Sequence, residues 1–162
     1  MLRTAFFIIT IPLTVLGLLI VAASWILVTT PDAREMRGCI TTAMYEVNLC
    51  PKSPNYVPLD QISTVAQQAI LVSEDSSFFS HHGFDWFEIK NSFDRNLEKK
   101  TFARGGSTIT QQLAKNVFLS KDKTIARKLR EALLTYQIEE NFTKKEILEK
   151  YLNVVEFGPG IY

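Results

Sequence analysis

Apolar residues run uncharged from Ala5 to Val28, then recur at helical rather than alternating spacing through most of the remaining chain. As a helix, the first run rises about 1.5 Å per residue and is long enough to cross a hydrocarbon core of roughly 30 Å. A cleaved leader has a shorter apolar region ending in small residues, whereas the bulky Trp25-Ile26-Leu27 closes this one. Pro12 is tolerated near the start of a membrane helix, and Trp25 falls where an aromatic ring anchors at the interface. The pattern predicts a cytosolic tip and a retained single span over residues 1–30, with Pro31 ending the helix.

Residues 31–58 carry Pro51, Pro54, Asn55 and Pro58 among mixed side chains and read as a tether. From residue 59 onward the spacing predicts a succession of helices. Ser63 is placed to cap one that carries Val65, Ala66, Ala69, Ile70 and Val72 and ends at Glu74 and Asp75. Asp85 and Glu88 have capping-box spacing ahead of Ile89, Phe93 and Leu97. After Gly105-Gly106 the same spacing recurs at Thr108 and Gln111, before the stripe Ile109, Leu113, Val117. A further helix from about Thr124 is expected to bury Ile125, Leu129, Ala132, Leu133 and Tyr136, leaving Arg127, Lys128 and Glu131 off the stripe. The last opens on the capping box Thr143-Lys144-Lys145-Glu146 and packs Ile147, Leu148, Tyr151 and Leu152. With no alternating run of strand length and no internal repeat, the expected class is mainly α. The pattern stops in mid-course at Tyr162, so 59–162 reads as the N-terminal part of a domain.

Charge changes the picture through its distribution. The 162 residues carry 18 Lys and Arg against 17 Asp and Glu, a net +1 that announces no nucleic-acid partner. Between Lys90 and Arg130, however, eleven basic residues face three acidic ones, so the rest of the chain is acidic. A segment this basic predicts an anionic ligand, with a solvated helix face as the plainer alternative. Arg3 before the span is matched by Arg34 and Arg37 after it, so positive charge alone does not orient the helix. The short leader predicts that the N-terminus is cytosolic and the domain lies outside. Cys39 and Cys50 suit that side, where they can close a loop worth on the order of 3 kcal/mol. The only histidines are His81 and His82 and there is no CxxC, which gives a zinc site little support.

Two blocks carry candidate chemistry: Glu74-Asp75-Ser76-Ser77-Phe78-Phe79-Ser80-His81-His82-Gly83 and Arg104-Gly105-Gly106-Ser107-Thr108-Ile109-Thr110-Gln111-Gln112-Leu113-Ala114-Lys115-Asn116. The first sets an acidic pair at a helix end. The second sets glycines, hydroxyls, amides and a lysine at a helix start. Such a start favours a phosphate oxygen, although the block lacks the Lys-Ser/Thr step of a P-loop. Alone, each has an ordinary structural explanation as a solvated pair, a turn with an N-cap, or an ion-pair ladder.

In order, these blocks with Arg127-Lys128-x-x-Glu131 and Ile147-Leu148-Glu149-x-Tyr151-Leu152-Asn153 resemble the successive motifs of the peptidoglycan glycosyltransferases of glycosyltransferase family 51. The resemblance runs from about Val57 to Tyr162. The short anchor and the stretch Asn153 to Gly160 are most similar to the family's monofunctional biosynthetic branch. It implies a lysozyme-like helical glycosyltransferase domain on the outer face of a bacterial cytoplasmic membrane, acting in cell-wall and cell-shape biogenesis. It implies lipid II and a lipid-linked glycan as substrates, a β-1,4 link formed with inversion, and undecaprenyl diphosphate as the leaving group. Cell-division or cell-wall synthesis proteins are the implied partners.

The resemblance assigns Glu74 as general base, because a sugar hydroxyl is a poor nucleophile until deprotonated. Glu131 is the second catalytic carboxylate, orienting cations or holding a divalent ion. Arg104, Lys115, Lys123, Arg127 and Lys128, with Ser107, Thr108 and Gln112, are the expected substrate contacts, since charge gathering on a leaving diphosphate is stabilised by fixed cations and donors. Mg or Mn is the expected ion, with Asp75 or Glu131 as candidate ligands. Gly105 and Gly106 are expected to give loop mobility, His81 to brace the turn after Glu74, and Tyr151 and Asn153 to support the site from behind. Two other readings use the same residues: a lysozyme-like glycoside hydrolase, in which water replaces the sugar hydroxyl, and a non-catalytic membrane-anchored scaffold.

Overall fold

A computed structural model describes residues 2–99 and 106–161, with side chains from 14 to 95 and from 106 onward. Arg104, Gly105 and the Leu97 side chain lie outside the described residues. The chain forms two compact units, Met1–Thr30 and Pro31–Tyr162.

The first unit is one helix, α1 (Leu2–Thr29), long and apolar enough to cross a membrane. The exposed Leu18, Val21, Trp25 and Val28 leave its apolar side chains on the surface. At its end the hydroxyls of Thr29 and Thr30 donate to the carbonyls of Trp25 and Ile26 at 2.7 and 2.6 Å, satisfying acceptors that no further helical turn reaches.

The second unit is mainly helical. Its α-helices are α2 (Thr64–Glu74), α3 (Trp86–Lys99), α4 (Ile109–Phe118), α5 (Ile125–Asn141) and α6 (Lys144–Leu152). The only sheet among the described residues is a two-residue antiparallel pair, β1 (Ile40–Thr41) with β2 (Asn48–Leu49), in register Ile40 opposite Leu49. Buried residues of α4, α5 and α6 make the core, including Ile109, Leu113, Val117, Leu134, Ile138, Ile147, Leu148 and Tyr151. Capping boxes open α4 at Thr108 with Gln111 and α6 at Thr143 with Glu146, as their spacing predicts. Asp85 accepts the Glu88 N–H at 2.9 Å and so caps the start of α3.

Residues 31–58 are not a free tether. Ala33, Met36 and Leu49 belong to the core, and Cys39 is disulfide-bonded to Cys50 around the β1–β2 pair. The loop between the strands caps the end of α4, with Ala43 N donating to Val117 O at 2.9 Å. Further along, Tyr56 Oη and Leu59 N both donate to the Glu149 carboxylate, at 2.5 and 2.8 Å, and Val57 pairs with the Asn153 amide. These bonds fasten the irregular segment onto α6.

Three helices depart from their expected faces. In α5 the inward residues are Glu131, Leu134, Thr135 and Ile138, whereas Ile125 is 82% and Tyr136 63% exposed. Glu131 can be buried because Arg127 and Lys128 neutralise it, and the face bearing it packs against α4. No residue of α2 is buried, and its Val65 and Val72 point outward. On α3, Phe93 is likewise exposed while Ser92 is the buried residue among the described side chains, because the Ser92 side faces Gly106.

Candidate active site

The last turn of α2 delivers two carboxylates to opposite roles. Glu74 is exposed, and its Oε2 accepts from Gln112 Nε2 at 2.8 Å. Asp75 is only 7% exposed. It accepts the backbone N–H of Ile109 at 3.0 Å and faces His81 Nε2 at 3.0 Å. Asp75 is therefore the anion at the N-terminus of α4, and these donors offset the cost of burying it. It fastens the end of α2 to the start of α4, which sets Glu74 beside Gln112. Because an ionised carboxylate only accepts, His81 Nε2 is the donor of this pair, while Nδ1 is buried without a partner among the described residues.

The turn between the two carboxylates and α3 is fixed from below. Phe78 is fully buried, with Lys144 Nζ 4.4 Å from its ring centroid. Gly83 takes φ +81°, and a Cβ there would lie 2.7 Å from Thr135 Cγ2. Only glycine suits that backbone and that approach. The Gly83 carbonyl accepts the Thr108 hydroxyl at 2.7 Å, joining this turn to the cap of α4.

Between these pieces opens a polar cleft of about 190 Å³, lined by Glu74, Asp75, Ser76, Ser77, Asp85, Glu88, Arg95, Gly106, Ser107 and Thr108. Ser77 hydrogen-bonds Asp85, and this contact with the Glu88 N–H holds the Asp85 carboxyl below the usual carboxylate range. Arg95 pairs with Glu88 at 3.2 Å across two turns of α3. Sequence reasoning did not single out Arg95; its seven-residue spacing from Glu88 is the signal that sets both on one face.

Of the expected substrate contacts, Ser107 and Thr108 line this cleft and Gln112 reaches Glu74. Thr108 is 3% exposed and its hydroxyl serves the cap, so Ser107 is the exposed hydroxyl at this helix start. A Cβ on Gly106 would meet the α3 backbone at 3.3 Å, which gives this glycine a close-packing role. Lys115, Lys123, Arg127 and Lys128 do not line the cleft. Lys115 is half-buried on α4, and Lys123 is exposed ahead of α5. Glu131 is 2% exposed and holds Arg127 at 2.8 Å and Lys128 by a second ion pair. One buried carboxylate thus fixes two cations and leaves a net positive cluster.

Neither candidate ligand fits a resident divalent ion. Glu131 has a protein cation on each oxygen, and the Asp75 oxygens face His81 and the Ile109 N–H. Asp75, His81 and Asp85 cluster closely, but Asp85 is likewise engaged by Ser77 and the Glu88 N–H.

Beneath Glu74, the Tyr151 hydroxyl donates to Gln112 Oε1 at 3.1 Å. Tyr151 is 1% exposed, and burial, together with the nearby Glu74 and Asp75, raises its hydroxyl above the ordinary phenol range. It is neutral and able to donate.

A family model described as Transglycosylase matches residues 42–162. A biosynthetic peptidoglycan transglycosylase of Chromobacterium violaceum is 50% identical over 107 residues, 66% of this chain and 47% of that protein. One from Nitrosomonas eutropha is 48% identical over the same length, 44% of that protein. One from Dechloromonas aromatica is 37% identical over 158 residues, 93% of this chain and 68% of that protein. The chain thus spans less than half the length of the first two relatives. Glu74, the capped start of α4 and the Arg127–Lys128–Glu131 cluster all lie within the matched residues, and the chain belongs to the transglycosylase family.

Proposed function

We propose that this chain polymerises lipid II into β-1,4-linked glycan strands and releases undecaprenyl diphosphate. The observation that carries the reading is the Glu74 carboxylate in a polar cleft shared with the segment that starts α4. Glu74 takes the proton from the acceptor 4-hydroxyl as that oxygen attacks the anomeric carbon of the donor glycan. The new carbon–oxygen bond forms with inversion, and the bond to the diphosphate breaks with its electron pair leaving on phosphate. Base assistance of this kind is worth typically 10²–10⁴-fold.

The leaving diphosphate is served by the Ser107 hydroxyl, with Lys115, Lys123, Arg127 and Lys128 as the cationic side and Glu131 holding the last two. Arg104 joins that side in this reading. A divalent cation, Mg or Mn, would add positive charge beside that diphosphate. The relatives' name, biosynthetic peptidoglycan transglycosylase, supports the substrate class. The apolar α1 fits a single-pass anchor in a bacterial cytoplasmic membrane with the domain on the outer side, where cell-wall synthesis and division proteins are the fitting partners. The disulfide suits that oxidising side.

The test supplies the full chain, in vesicles, with lipid II and separately with soluble glycan. The account expects polymer from lipid II, release of undecaprenyl diphosphate, and no cleavage of soluble glycan. Hydrolysis of soluble glycan without polymer would replace the transferase with a hydrolase, and absence of both products would reject catalysis by this chain.

A further inference from the structure

We propose that Tyr151 is a positioning residue that sets the general base through Gln112. This rests on the reading of Glu74 as base. The three side chains come from three elements: Glu74 from the end of α2, Gln112 from α4 and Tyr151 from α6. Gln112 Nε2 donates to Glu74 Oε2 at 2.8 Å, and Gln112 Oε1 accepts from the Tyr151 hydroxyl at 3.1 Å. An ionised carboxylate only accepts, so the amide must turn its nitrogen toward Glu74. A hydroxyl that donates to the opposite end holds the amide at that distance from the carboxylate.

With the hydroxyl removed, the Gln112 amide loses the anchor at its oxygen end and is free to swing its nitrogen away from the carboxylate. Glu74 would then lose the donor that fixes its rotamer and favours its charged form. The device is buried at one end and open at the other: Tyr151 is 1% exposed while Glu74 is exposed to the cleft. Among the described residues, the other charged groups that line the cleft with Glu74 are Asp75, Asp85, Glu88 and Arg95. Asp75 faces Ile109 N and His81, and Asp85 faces Ser77 and the Glu88 N–H. Glu88 and Arg95 face each other. Gln112 is thus the neutral donor in contact with Glu74 among the described residues, and Tyr151 is what aims it. Active geometry is thereby coupled to the docking of α6 on α4.

The experiment compares the full chain with Tyr151→Phe, Gln112→Glu and Glu74→Gln. The Gln112 side-chain amide resonances are followed in NMR across pH 3–8 alongside transfer from lipid II. In the unmodified chain the amide signal responds to titration of Glu74, and Glu74→Gln removes that response. Tyr151→Phe is expected to remove it as well, with the fold intact. Turnover should fall about tenfold at unchanged KM, the size of one hydrogen bond to a charged group. The acid limb of its pH profile should move upward, and in Gln112→Glu further still, since a like charge opposes ionisation. A Tyr151→Phe chain whose amide keeps the response, or whose loss of turnover comes with an unmoved acid limb, would make Tyr151 merely structural. Substantial turnover by Glu74→Gln would instead reject the base assignment, while the amide signal still decides whether Tyr151 aims Gln112.

Discussion

The buried carboxylate of Asp75 accepts the backbone N–H of Ile109 at 3.0 Å, across 34 residues of chain. This bond makes one site of two separated blocks, because it holds the helix that ends at Glu74 against the helix that Thr108 caps. Asp75→Ala should cost about 2–4 kcal/mol of unfolding free energy, since it leaves the Ile109 N–H and the His81 ring without their partner. Urea denaturation of the variant measures this. A loss below about 0.5 kcal/mol would mean that the two helices are joined by other contacts.

Gly83 should tolerate no side chain. Gly83→Ala places a methyl 2.7 Å from Thr135 Cγ2 at φ +81°, combining a backbone penalty with a clash against α5. The expected loss is about 2–4 kcal/mol, and a thermal midpoint unchanged from the parent would contradict the geometry.

Acid stability should depend on Asp85 and Glu146. Both carboxyls are held below their ordinary values, Asp85 chiefly by Ser77 and Glu146 chiefly by the Thr143 N–H. Groups depressed in the folded state stabilise fully above their unfolded values, 3.8 and 4.5, and lose that stabilisation as pH falls through the lower folded values. Asp85→Asn and Glu146→Gln should therefore each flatten the fall in stability below about pH 4.5 and change its slope little above pH 6. Denaturation midpoints across pH 2–7 read this directly, and parallel curves for parent and variants would exclude both groups.

Local chemistry made part of this fold legible. The boxes at Thr108 and Thr143, the stripe of α4 and the packed residues of α6 follow from spacing of three and four residues. The expected stripe of α5 misleads, because the covered face is the one that carries Leu134 and Ile138, where Glu131 is tolerated since Arg127 and Lys128 neutralise it. The outward Val65 and Val72 of α2 show the same limit: periodicity identifies a helix, while the partner decides which face is covered. In the site, Glu74 and the start of α4 stand out as motifs. The partners of Gln112 do not, since Glu74 and Tyr151 reach it from 38 and 39 residues away and only the folded chain joins them.

The most direct measurement is polymer formation from lipid II by the full chain carrying Glu74→Gln. The amide preserves the size of the side chain but cannot take a proton at neutral pH. The account predicts a folded protein with an unchanged thermal midpoint and polymerisation reduced by at least about 10²-fold, the lower end of what a general base contributes. A folded Glu74→Gln chain that polymerises lipid II within about threefold of the parent rate would contradict the account at its centre, since the base would then be another group.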